Sequence, residues 1–256
     1  MDEQSAAIRI LGVPIACLDR AGALREIERL GRLGGPSLIA YANAHTLNLA
    51  HRDEQYRALL ASASLLLNDG AGVALAARIM GSSFVANLNG SDFNPEILRL
   101  AARNGWPVYL LGAAPGVAER AGAILAGRID GLQLAGTHDG YFDARRNDEI
   151  AAEVRASGAE VLMVAMGNPV QETWLARHLV ATGVRVGVGV GAFLDFTVGV
   201  VPRAPAWMNK LGVEWLYRLG QEPRRMWRRY LIGNPLFVMR VLRRRLSTGV
   251  AGKLGS

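Results

Sequence analysis

The sequence predicts an α/β protein, with a mostly parallel sheet covered on both faces by helices and a basic helical appendage at its C-terminal end. Three observations carry this. Short apolar runs alternate with helix-like stretches through residues 1–202, each run ends in a Gly/Asn/Asp turn, and the positive charge is concentrated after residue 202. Runs of four to seven apolar residues separated by helical segments are the pattern of βαβ units whose strands are buried on both faces.

Taken in order, Ser37–Tyr41 is the first such run, broken by Asn43. Leu65–Leu67 ends at Asn68-Asp69-Gly70 and leads into a helix expected over Val73–Met80. Pro107–Leu111 ends at Gly112 and precedes the Ala/Glu/Arg-rich stretch Val117–Ile129. Glu160–Ala165 ends at Gly167-Asn168-Pro169, and Val184–Val190 ends at Gly191. No fixed-period repeat or low-complexity segment interrupts the series. The expected division is 1–202 for the α/β domain and 203–256 for the appendage.

Composition narrows the classes. The 256 residues are 50% hydrophobic and 20% charged, which suits a folded core and excludes disorder, collagen and a disulfide scaffold. With a single cysteine, Cys17, no internal disulfide can form, and a reducing, cytoplasmic compartment is expected. The opening Met1–Ser5 lacks the basic and apolar regions of a signal peptide. The most apolar stretch, Val184–Val201, contains Arg185, Asp195 and four glycines, and reads as buried strand and turn rather than a membrane span.

Charge is segregated. Residues 203–256 hold twelve Lys or Arg against two acids, whereas 1–202 hold 17 against 20, so the whole-chain +7 belongs to the C-terminal fifth. A localised basic block points to an anionic partner: phosphate, nucleic acid or an anionic membrane surface. Trp207, Trp215, Tyr217, Trp227, Tyr230 and Phe237 are interleaved with the arginines there, and 235–246 alternates apolar residues with Arg240, Arg243, Arg244 and Arg245. That pattern fits an interfacial amphipathic helix; a solvated surface helix is the other reading. Nucleic acid is disfavoured, because no nucleic-acid motif accompanies the cluster.

In parallel sheets ligands bind beyond the C-terminal strand ends, so the residues after each run are the candidates. Asp69 could act as a general base, accept hydrogen bonds from a sugar, or cap the following helix. Gly112–Gly116 could bring backbone N–H groups to a phosphate or simply make a tight turn, and it is neither a P-loop nor a dinucleotide fingerprint. Gln171 offers an amide edge for a base or sugar hydroxyl, and Glu172 could accept from ribose hydroxyls or sit as a favourable acid in a helix's first turn. The four histidines lack paired metal-ligand spacing, and no Ser or Cys nucleophile motif is present. Arg218, Arg225 and Arg228 would share a helix face if Pro223 does not break the helix, and a pyrophosphate suits such a guanidinium cluster.

Together these blocks resemble the WecG/TagA/CpsF family of bacterial glycosyltransferases over roughly residues 8 to 235. The matching segments are Asn43-Ala44-His45, Asn68–Gly72, Gly90-Ser91-Asp92, 108–116, 167–172, 189–199 with Phe193 and Asp195, Arg203-Ala204-Pro205, Glu214–Arg218 and Glu222–Arg225. The resemblance implies a Rossmann-like catalytic domain that binds a UDP-sugar. It implies inverting transfer of a hexosyl group (N-acetylmannosamine, its uronic acid or glucuronic acid) to a polyprenyl-diphosphate-linked acceptor in cell-surface or exopolysaccharide assembly. No cofactor and no metal are expected, UDP-sugar being a co-substrate. By position Asp69 matches the general base, Asn43 a sugar-pocket residue, and Arg218, Arg225 and Arg228 arginines near the diphosphate. Tyr41, Asn89, Gly90, Asp92, Gly112, Gly116, Gly167, Gln171, Glu172 and Asp195 complete the expected substrate site. Tyr41 stands where a small hydroxyl residue is expected, and Val170 where a Lys is. The implied location is the inner face of the cell membrane, against its anionic leaflet, with an oligomer possible. A non-catalytic nucleotide-binding regulator is the alternative.

Overall fold

The computed structural model describes residues 7–200, Met208, 214–221 and 223–251, the side chains of Glu214, Arg218, Arg225 and 248–251 excepted. A two-stranded antiparallel hairpin comes first, β1 (Ala7–Ile10) and β2 (Val13–Ala16), turning through Leu11 and Gly12, both at positive φ. The apolar-run pattern misses this hairpin, because Leu-Gly is not a recognisable hairpin turn and the strands have four residues each. Helix α1 (Arg20–Arg32) follows, N-capped by the Asp19 side chain.

The main sheet has six parallel strands in the order β4-β3-β8-β7-β5-β6. These are β3 (Ser37–Ala42), β4 (Leu65–Asn68), β5 (Val108–Gly112), β6 (Leu134–His138), β7 (Val161–Ala165) and β8 (Val186–Gly189). Five of them lie at the apolar runs read from sequence. The sixth, β6, is half-buried throughout and reads Leu-Ala-Gly-Thr-His, so it leaves no apolar run to find.

Alternate residues of each strand face opposite sides. Ile39, Leu110, Met163 and Val188 enter one core with helices α1, α5 (Gly90–Asn104), α6 (Val117–Arg128) and α9 (Phe193–Val198). Ala40, Ala42 and Leu66 face α2 (Ala44–Arg52), α3 (Glu54–Ser62) and α4 (Ala71–Ile79). Tyr109, Leu111, Leu162 and Val164 face α7 (Asn147–Ala156) and α8 (Val170–Thr182). Burial on both faces is what makes these strands continuous apolar runs rather than alternating ones.

The basic tail folds as α10 (Glu214–Gln221), α11 (Pro223–Trp227), a π turn (Arg228–Ile232) and α12 (Gly233–Ala251). Pro223 opens α11, where its missing N–H costs nothing. Helix α12 packs on α2 and α4, burying Phe237 and Val241 in the core that contains Leu47 and Val73. A polar latch reinforces this contact. The Asn48 Nδ2 donates to the Gly233 carbonyl at 2.7 Å, and Arg240 donates to Asn48 Oδ1 at 2.6 Å. The expected boundary at 202/203 and the segment Arg203-Ala204-Pro205 lie outside the described residues. No described helix is long and apolar enough to cross a membrane.

Candidate active site

A cavity of about 500 Å³ opens beyond the C-terminal ends of β3, β4, β7 and β8, within the size range of small-molecule sites. Its polar centre is built by two strand ends. Asn43 follows β3 and caps α2, its Oδ1 accepting from the backbone N–H groups of His45 (3.0 Å) and Thr46 (3.1 Å). With that oxygen committed, the amide nitrogen is turned outward and donates to Asp69 Oδ2 at 3.2 Å. Asp69 follows β4, its own N–H tied to the Ala42 carbonyl. Next, Gly70 sits at φ +87°, ψ +169°, which a side chain would strain, and donates to Asn87 Oδ1. Asp69 therefore does not cap α4, whose N-cap is Gly70 with no side-chain bond.

Tyr41 contributes its ring to the cavity wall rather than its hydroxyl. The phenol donates to Asn94 Oδ1 at 2.7 Å within α5, and burial, then the charges of Asp69 and Glu96, hold it well above its ordinary pKa. Gly90 lies against that ring, where a Cβ would come to ordinary contact with Tyr41 Cε2 at 3.5 Å. Asn89 lines the cavity and caps α5, accepting from the Asp92 N–H and donating to its carboxylate. Asp92 itself is not among the lining residues.

On the other side, Gln171 ties two loops together. Its Oε1 accepts from the N–H groups of Gly167 (3.2 Å) and Gly191 (3.0 Å), and its Nε2 donates to Glu172 at 2.7 Å. Only glycine fits opposite at 189, where a Cβ would lie 2.9 Å from Gln171 Nε2. Glu172 is fully buried, away from the lining, and accepts from Asn168, Gln171 and Tyr56. Burial raises its pKa, and these three donors oppose the rise. Both residues are thus committed to shaping the Gly167–Gly191 rim, and Gln171 also borders the space.

The remaining expected residues are more scattered. Gly112 and Gly116 end β5 and open α6, outside the lining. Asp195 is half-buried in α9, also outside it. The Arg218 and Arg225 side chains lie outside the described residues. Arg228 is exposed, its guanidinium 5.2 Å from the Trp227 ring centre, and does not line the cavity. Arg229 lines it instead, 5.6 Å from the Tyr230 ring centre.

Several lining residues are absent from the sequence-based site. The tail covers the cavity with Trp215, Met226, Arg229, Tyr230 and Asn234, and α2 and α9, which follow β3 and β8, add His45, Phe193 and Phe196. His45 lies in the block Asn43-Ala44-His45, two residues after Asn43, where its nearness in sequence to the strand end is the signal for it. Arg229 was hidden by the π turn, which alters the helical phase that seven- and three-residue spacings assume. Burial, then the nearby Arg229 charge, lowers the His45 pKa to about 4, so the imidazole is neutral at neutral pH.

A parallel α/β sheet with an amide-braced carboxylate and an arginine facing one cavity beyond its strand ends defines a small-molecule site suited to a polar, anionic ligand. The chain belongs to the glycosyl transferase WecG/TagA/CpsF family, whose sequence model matches residues 8–250. The family implies glycosyltransferase activity in cell-surface polysaccharide biosynthesis, with a nucleotide-sugar donor and a lipid-linked acceptor in general.

Proposed function

We propose that this protein moves a hexosyl group from a UDP-sugar to a polyprenyl-diphosphate-linked acceptor, inverting the anomeric centre, with Asp69 as general base. The observation that carries the reading is the Asn43–Asp69 pair at the centre of the cavity. In the reaction the acceptor hydroxyl oxygen attacks C1, the bond from C1 to the UDP oxygen breaks, and the hydroxyl proton passes to Asp69. Asn43 keeps the carboxylate oriented, leaving it only short, directional movement, as a proton acceptor requires. UDP departs carrying the bonding electron pair, so positive charge must face its diphosphate. Arg229, which lines the cavity, would supply it with other arginines of the tail, and on this reading no metal is required.

The basic helix α12 would hold the protein against the anionic inner leaflet, where the acceptor resides. Tyr41 is the feature that bears on the choice of sugar, because its ring fills space that a smaller residue would leave open. Calorimetric titration with a panel of UDP-sugars, with and without EDTA, tests the reading. Binding of one donor unaffected by EDTA is expected. Binding of every donor that disappears with EDTA would overturn the metal-free assignment, and no binding of UDP or any UDP-sugar, with or without anionic vesicles, would overturn the donor class.

A further inference from the structure

Helix α12 carries two apolar stripes where a surface helix needs one. Phe237 and Val241 face the body of the protein and are buried. A second set, Pro235, Val238, Met239 and Leu242 with Leu231 of the preceding π turn, lies away from that contact and borders a separate apolar groove of about 570 Å³. Leu231, Met239 and Leu242 are 55%, 39% and 47% exposed, and Asn234 is the one residue of the groove lining without an apolar side chain. Trp215, Tyr230 and Asn234 border both this groove and the polar cavity. A polar compartment and an apolar one therefore share a wall, at the helical turn that also carries Arg229.

We infer that the groove receives the hydrocarbon chain of the acceptor, so that the tail forms a two-part site for an amphiphile: head in the cavity, isoprenoid chain along α12. This rests on the acceptor class proposed above. The continuity decides the occupant. A membrane surface or a second copy of the chain would cover α12 from outside with no need for a wall in common with the cavity. A ligand whose anionic head enters the cavity must instead lead its chain out past Trp215 and Tyr230, directly into the groove. The chain is held by apolar contact alone, so affinity should rise with its length at a fixed head, each buried methylene adding several-fold.

The test uses full-length protein and two soluble probes with the same diphosphate head, dimethylallyl diphosphate and farnesyl diphosphate, with UDP titrated separately. Farnesyl diphosphate should bind at least about tenfold more tightly than the shorter probe. The double variant Val238→Asp/Leu242→Asp should reduce that preference below about threefold while UDP affinity is retained, because neither residue borders the cavity. An unchanged melting temperature and far-ultraviolet spectrum would confirm that the variant is folded. The single variant Leu242→Gln gives a milder second reading if the double variant unfolds.

Equal binding of the two probes by a protein that binds UDP would overturn the groove assignment and leave the transferase reading standing. Loss of UDP binding in the wild-type protein would strike the transferase reading itself. A variant that loses anionic-vesicle binding or changes oligomeric state, yet keeps the chain-length preference, would show that α12 meets a membrane or another copy, and would also overturn the inference.

Discussion

Asn43 spends its oxygen on capping α2 and its nitrogen on Asp69, so one residue couples helix geometry to the proposed base. Replacing Asn43 by Ala should cost about 1 kcal/mol of stability from the lost cap, and should also lower turnover by freeing the carboxylate. Urea denaturation and steady-state rates separate the two effects. Tyr41→Phe removes the donor to Asn94, whose amide nitrogen has no partner among the described residues. That leaves a buried side-chain amide wholly unpaired and should destabilise by about 1–3 kcal/mol, read from the urea midpoint. His45 gives a pH signature. Its folded pKa of about 4 lies below its ordinary value, so the unfolded state binds more protons between the two. Stability linked to His45 is present above pH ~6.5 and is lost as pH falls toward 4, and His45→Gln should flatten that part of the curve.

At the scale of elements, α12 is held by Phe237 and by the Asn48–Arg240–Gly233 latch. Phe237→Ala should destabilise by about 3–5 kcal/mol, with the loss seen first as faster hydrogen exchange in α12 and earlier proteolysis of the tail than of the sheet. Five of the six strands were legible because burial on both faces demands unbroken apolar runs, and the cavity positions of Asp69 and Asn43 were legible because strand ends are where ligands meet such a sheet. Other features escape that logic. Gln171 and Glu172 look like ligand-facing polar residues in sequence, but their donors and acceptors are taken up by one another, by Asn168, Tyr56, Gly167 and Gly191. Sequence position gives no sign that these partners, up to 116 residues away, converge. The choice between Arg228 and Arg229 likewise depends on a π turn that no spacing rule anticipates.

For the whole molecule, a nearly neutral α/β body carries a strongly basic tail that forms part of its cavity wall. The joint replacement of Arg243, Arg244 and Arg245 by Gln should weaken sedimentation with anionic vesicles, and the wild-type binding should fall steeply with salt, while UDP affinity stays the same. Zwitterionic vesicles should bind the wild-type protein little. The account rests most heavily on Asp69 as the proton acceptor in hexosyl transfer, and the Asp69→Asn variant tests it most directly, as this exchange keeps the shape and removes the base. With the donor found by titration and an acceptor that supports turnover, kcat should fall by on the order of 10²- to 10⁴-fold, with UDP affinity unchanged. A variant that transfers at near the wild-type rate with the same UDP affinity would contradict the account.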